Sequence, residues 1–180
     1  MRTNLLSSLI QCVMLLSLLW GCGPKQVDPQ LPPETATGQN TLGCLINGKV
    51  WLPGGKYRFG FGAVTMSYDP GYHQVLNISA EYNRGEQSLT FKKNGVKGPG
   101  TYRFEGDSTA GLVYRDESLP PGCGDFLGGT RYQPIQEGRL TITRLDVERR
   151  VIAGRFSFTL VQPGCDTIRI TEGRFDLPLR

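Results

Sequence analysis

The 180-residue chain predicts an all-β domain, an antiparallel β-sandwich or a closed β-barrel of about nine strands, behind a cleaved signal peptide and a disordered tether. Three observations predict it. From Thr41 onward apolar residues recur at every second position and not at the 3.6 spacing of a helix. Turn formers punctuate these runs: glycine and proline number 24 and 12, a fifth of the chain, below the share that marks low-complexity disorder. No window supports a helix of three turns, so strand faces must cover one another. Alternation alone does not separate sandwich from barrel.

The N-terminus is a different kind of sequence. Met1-Arg2-Thr3-Asn4 carries one positive charge, and Leu5 to Trp20 is mostly apolar, interrupted by Ser7, Ser8, Gln11 and Ser17. At about 16 residues this run is short for a membrane span, which needs ~20, and fits a signal-peptide core. Leu19-Trp20-Gly21-Cys22 resembles the bacterial lipobox, with the bulky Trp20 where a small residue is usual. A small residue before the cysteine lets a peptidase reach the bond, and the thiol takes a diacylglyceryl group. The resemblance implies cleavage after Gly21, lipid on Cys22, and attachment to a membrane, expected to be the outer membrane.

Residues 22–40 follow as the tether. Gly23 to Gln39 holds Pro24, Pro29, Pro32 and Pro33 and few bulky apolar side chains, so it reads as a semi-extended spacer. At ~3 Å per residue it would hold the domain up to ~50 Å from the bilayer. Lys25-Gln26-Val27-Asp28 lacks the acidic pair that some surface-exported lipoproteins carry, so the membrane face stays open.

The domain, 41–180, opens on Cys44-Leu45-Ile46, Asn47-Gly48 and Lys49-Val50-Trp51, a hairpin around the strongest two-residue turn signal. Phe59 to Tyr68 is read as the next strand, and Asp69-Pro70-Gly71 turns it. Val75 to Tyr82 places Leu76, Ile78, Ala80 and Tyr82 on one face, and Asn83-Arg84-Gly85 ends it. Ser88 to Lys93 turns Leu89 and Phe91 inward, with Asn94-Gly95 as a further turn. Thr101 to Glu105 and Leu112 to Arg115 are short strands. Residues 116–137, rich in proline and glycine, read as the longest loop, of the kind that carries function or needs a staple.

The last third alternates most clearly. Leu140 and Ile142 oppose Thr141 and Thr143. Phe156, Phe158 and Leu160 oppose Arg155, Ser157 and Thr159. Ile168 and Ile170 oppose Arg169 and Thr171. Phe175 is then out of step with Ile170, and a bulge at Glu172-Gly173 would return it to the core.

Cys12 leaves with the leader and Cys22 carries lipid, so Cys44, Cys123 and Cys165 remain in an exported, disulfide-permissive domain. Cys123 and Cys165 each follow Pro-Gly in a loop, where a bridge needs no strand distortion, and are the favoured pair; Cys44 with Cys165 is the alternative. With no Cys-x-x-Cys and the single His73 lacking a ligand at useful spacing, no metal site is expected, and no cofactor is implied. His73 reads as a surface turn residue. Glu105, Asp107, Asp116, Glu117 and Asp125 lie in or near loops and could pair for glycoside hydrolysis. No nucleophile elbow, phosphate loop or His-Glu-x-x-His occurs, so no catalytic residue is assigned. The net charge of +4 is spread over scattered lysines and arginines, which argues against nucleic acid as a partner. Among aromatics outside the clear core positions, Trp51, Tyr57, Tyr72 and Tyr132 are the candidates for stacking on a sugar, and Tyr68 and Tyr114 belong to the same group.

Two stretches together carry a family resemblance. Asn40 to Trp51 (NTLGCLINGKVW) opens the domain. Gly138 to Asp146, the Gly154-Arg155-Phe156-Ser157-Phe158 strand and Thr171-Glu172-Gly173-Arg174-Phe175-Asp176 close it. This resembles a family of uncharacterised lipoproteins common in Bacteroidetes, which implies a cell-envelope β domain with no transferable activity. The expectation is a lipid-anchored, non-enzymatic binding or scaffold module for a glycan or another envelope protein, contacting it through loops 53–58, 69–73 and 116–137. A carboxylate-dependent envelope hydrolase and a lipid-carrying barrel are the alternatives.

Overall fold

A computed structural model describes residues 30–55, 62–129 and 135–179, and among these the chain forms eleven strands and no α-helix. The strands are β1 (Thr41–Ile46), β2 (Lys49–Trp51), β3 (Val64–Asp69), β4 (Val75–Tyr82), β5 (Gln87–Lys93), β6 (Gly100–Arg103), β7 (Gly111–Asp116), β8 (Asp125–Gly129), β9 (Glu137–Asp146), β10 (Val151–Leu160) and β11 (Ile168–Pro178). They form two antiparallel sheets, one in the order β2-β1-β11-β10-β9-β6 and one in the order β3-β4-β5-β7-β8. Both sheets have free ends, so the fold is a two-sheet sandwich. The closed-barrel alternative is ruled out, and with it the barrel that would carry a lipid.

The core is the sum of the inward strand positions. Leu76, Ile78, Leu89, Phe91, Leu112 and Tyr114 of one sheet face Leu140, Ile142, Ile152, Phe156, Phe158 and Ile170 of the other, all buried. Phe91 of β5 reaches across to Phe156 and Phe158 of β10, with ring centroids 5.0 and 5.3 Å away. Tyr82 shares the parity of Ala80 but lies at the end of β4 and is 40% exposed.

The expected turns form as their chemistry dictates. Asn47 and Gly48 both take positive φ, +48° and +79°, the geometry that matches the twist of the β1–β2 hairpin. Asp69 Oδ1 accepts from the amides of Gly71 and Tyr72, both at 2.9 Å. The bulge in β11 is present. Gly43 faces Arg174 but Leu45 faces Thr171, and Phe156 faces Gly173 but Phe158 faces Ile170. One extra residue is absorbed there, with Glu172 at φ +51°, and Phe175, like Ile170, is buried in the core.

Three elements differ from the sequence expectation. The strand expected over Phe59 to Tyr68 begins at Val64, and residues 59–61 lie outside the described residues. The stretch 116–137 is not all loop: Asp125–Gly129 forms β8 and pairs with β7. Its Gly-Gly end hid it, because Gly128 sits where an added Cβ would meet Ile135 Cγ1 at 2.7 Å, and a larger residue does not fit. The stretch 30–40, expected to belong to the tether, differs as well. From residue 30 the chain is pinned as a strap across the outer face of the six-stranded sheet. Asp176, 1% exposed, accepts from Thr35 Oγ1 (2.7 Å), Thr37 N (2.9 Å) and Gly38 N (2.6 Å). Burial would raise the Asp176 carboxyl, but the hydrogen bonds from Thr35 and the amides of Thr37, Gly38 and Gln39 outweigh it and hold the group below its ordinary value. Arg144 Nη1 donates to Ala36 O at 2.7 Å. Val151 and Ala153 take the outward positions of β10 and are nonetheless buried, Val151 lying against Gly38 of this strap.

Candidate functional site

Beyond the strap, the outer face of the six-stranded sheet is open. Residues that alternate with the core positions meet there in rows set by strand register. One row runs Arg174 of β11, Arg155 of β10, Thr141 of β9 and Thr101 of β6. The next runs Ser157 of β10, Arg139 of β9 and Arg103 of β6. A groove of about 410 Å³ lies over these rows, lined by Arg139, Thr141, Arg155, Ser157 and Arg174, with Glu34 of the strap and Glu172 of the bulge at its rim.

The register sets guanidinium against guanidinium. Arg155 faces Arg174 directly, and Arg139 faces Arg103. Like charges opposite one another on a sheet face are destabilising, so each pair needs an anion nearby. The chain supplies few. Arg155 donates through Nε to Glu34 Oε2 at 3.0 Å, and its Nη2 donates to the same oxygen. Arg174 makes a long ion pair with Glu172, 3.5 Å to Oε2, and contacts Glu172 O at 3.4 Å and Pro32 O at 3.5 Å. Among the described residues Arg139 has no side-chain hydrogen bond or ion pair. Thr141 and Ser157 add hydroxyls to the lining, and Thr141 meets the Thr101 hydroxyl of the neighbouring strand at 3.2 Å.

The residues singled out by sequence fall elsewhere. Cys123 and Cys165 are bonded, with Cα atoms 5.6 Å apart, and join the β7–β8 loop to the β10–β11 loop. Cys44 is free and buried, its thiol pushed up to about 12 by burial, so the alternative Cys44–Cys165 pairing is set aside. Trp51 is core, 6% exposed, with Nε1 donating to Gln87 Oε1 at 2.9 Å, so its burial leaves no ring face for a sugar. Tyr72 is 65% exposed at the β3–β4 turn, where its ring meets His73 edge-on at 4.7 Å. Tyr57, Tyr132 and Cys22, the residue expected to carry lipid, lie outside the described residues, as does half of the expected contact loop 53–58. Tyr68 donates to Val96 O at 2.8 Å, and Tyr114 is buried and donates to Asp116 Oδ2 at 2.9 Å. The aromatic platform is not assembled from the described residues.

The loop carboxylates are occupied by structural donors. Asp116 accepts from Gln87 Nε2 (2.7 Å), Tyr114 Oη (2.9 Å), and the amide (2.9 Å) and hydroxyl (2.6 Å) of Ser118. Asp107 pairs with Lys93 and accepts from Thr109 N at 2.7 Å. Burial would raise Asp107, but Lys93 and Thr109 outweigh it and hold the carboxyl at about 2. Burial would likewise raise Glu105, but amide donors led by Gly138 N, with the charge of Arg103, hold it below its ordinary value. Asp125 binds Arg115 Nε at 2.6 Å. A general acid needs a raised pKa, and these environments push Glu105, Asp107 and Asp116 the other way. No group of three or more metal-binding side chains occurs among the described residues.

In the sequence, Arg155 and Ser157 stand out only as the polar positions opposite Phe156 and Phe158. Alternation shows which side of its own strand a residue takes. It does not show which residue of the next strand stands opposite, and that depends on the bulge at Glu172.

Fold and face together define an antiparallel two-sheet domain with a basic, hydroxyl-lined outer groove. The chain belongs to the family described as Domain of unknown function (DUF6252), whose model matches residues 56–176. No curated protein and no solved structure matches it.

Proposed function

We propose that this protein is a lipid-anchored, non-catalytic binding module of the cell envelope, attached through Cys22 to the outer membrane, and that the arginine groove is its ligand face. The observation that carries the reading is the pair of in-register arginine oppositions, Arg155 with Arg174 and Arg103 with Arg139, on one open face. A fold keeps such a cost where an external anion relieves it. The apolar leader and Leu19-Trp20-Gly21-Cys22 support the anchor. Glu34 on the groove rim is twelve residues from Cys22, which places the groove within about 40 Å of the lipid. The lowered loop carboxylates favour binding over hydrolysis.

The test is thermal denaturation of the detergent-purified full chain with inorganic phosphate, a uronate oligomer and an acidic peptide. An anion at 100 times its Kd adds ~2.7 kcal/mol, a rise of about 5–10 °C for a domain this size. The shift should vanish in an Arg139→Ala, Arg155→Ala double variant. No shift with any of the anions removes the groove as the ligand face.

A further inference from the structure

We infer that the groove takes a linear glycan bearing carboxylates, and that Glu34 is an internal stand-in which such a ligand displaces from Arg155. This rests on the groove being the ligand face.

The molecule itself shows what Arg155 accepts. Its fork closes on a carboxylate delivered from above the sheet by a separate segment of chain. Both partners are open to water, with side chains 63% and 43% exposed, so the pair can exchange. Guanidinium planes match carboxylates in two-point geometry. Glu34 serves Arg155 alone; Arg139 has no partner among the described residues, and Arg174 has only contacts of 3.4 Å and more. Glu34 therefore occupies Arg155, Glu172 holds Arg174 only at 3.5 Å, and Arg139 is unpaired among the described residues, the three guanidiniums lying over neighbouring strands ~4.8 Å apart. A ligand that repeats a carboxylate along its length would reach the others.

The floor selects between classes of acidic chain. Thr141 and Ser157 present hydroxyls, the one aromatic in the lining, Phe156, is 3% exposed, and none of the large exposed apolar side chains (Tyr72, Tyr82, Val147 and Val161) lines the groove. A peptide gains its affinity largely from side-chain pockets, which this surface lacks. A polyhydroxylated chain finds hydrogen-bond partners along the whole floor.

The experiment is calorimetric titration of the detergent-purified full chain with tri-galacturonate, its full methyl ester and tri-glutamate. Tri-galacturonate should bind and weaken as salt rises. The neutral ester should lose most of that affinity. Arg155→Ala should weaken tri-galacturonate roughly tenfold. Glu34→Gln, which keeps the shape of the strap, should bind it about two- to fivefold tighter, the range an exposed ion pair allows. Equal affinity in wild type and Glu34→Gln would overturn the stand-in role. Tri-glutamate binding tighter than the sugar, with the same dependence on Arg155, would overturn the glycan assignment and leave the groove standing. Failure of both anions to bind would remove the groove reading together with this one.

Discussion

Single positions in this domain are decided by how closely β10 is packed on both sides. Gly154 points inward beneath the Phe175 ring, and an added Cβ would lie 2.3 Å from Thr141 O and 2.9 Å from Phe175 Cζ. Since the first of these is backbone, the strand itself must move. Gly154→Ala should therefore cost about 3 kcal/mol, the upper end of overpacking, read as a lower urea midpoint with an unchanged slope. Gly98, with nothing within 4 Å of the same position, should accept alanine within about 0.5 kcal/mol. Charge is as local as volume. Asp107 is lowered from 3.8 to about 2 where Lys93 and Thr109 hold it. The unfolded chain therefore takes up its proton first as pH falls. The stability this group contributes is complete above about pH 4 and drains away between pH 4 and pH 2. Urea midpoints measured across that window should fall less steeply in Asp107→Asn, which starts from a lower value at pH 7. Alternation made Phe156 and Arg155 legible as inside and outside. It gave no hint that Gly154 exists to admit Phe175, because that demand comes from a neighbouring strand.

At the scale of elements, the strands and turns were legible where local chemistry decides them. Asn47-Gly48 turns because both positions tolerate positive φ, and the parity break before Phe175 marks the β11 bulge in the sequence itself. The strap was not legible. Its prolines and small polar residues suit a spacer, and it is held down by partners more than a hundred positions away, with Asp176 the chief of them. Those partners can be found only once β11 is in place. Asp176→Asn keeps the volume but replaces one acceptor oxygen with a donor that faces amide hydrogens. The buried site should lose about 1–3 kcal/mol, and amide exchange at Thr37 and Gly38 should speed up while the β10–β11 ladder keeps its protection. Equal protection of the strap in the variant would show that its other contacts, such as Arg144 to Ala36, suffice to hold it. The same logic explains the candidate groove. Each arginine was visible, but the facing of Arg155 and Arg174 is a property of two strands and one bulge.

At the scale of the whole molecule, two open sheets share a core and are joined by few hydrogen bonds, such as Trp51 Nε1 of β2 to Gln87 Oε1 of β5, so a covalent bridge between their loops matters. The Cys123–Cys165 bond joins the loop that ends β7 in one sheet to the loop that precedes β11 in the other, across 42 positions. In the chain-entropy view, closing a loop of that size limits the unfolded state by about 4 kcal/mol. Gln162 Nε2 also donates to Gly122 O at 2.7 Å, so the two loops keep one polar contact when the bond is gone. This contact is exposed and worth about 1 kcal/mol at most. Reduction, or Cys123→Ser with Cys165→Ser, should then lower the melting temperature by about 10 °C, the shift that ~4 kcal/mol gives a domain of this size. Cys44 should stay unreactive to thiol reagents in the folded, reduced protein, since its thiol is buried and pushed up to about 12. A drop of less than 3 °C would mean that the aromatic contacts of Phe91 with Phe156 and Phe158, not the bridge, set how firmly the sheets are held together. In that case β8, which the bridge anchors at its start, should be the first strand to lose amide protection on reduction, with the core of β4, β5 and β10 unchanged.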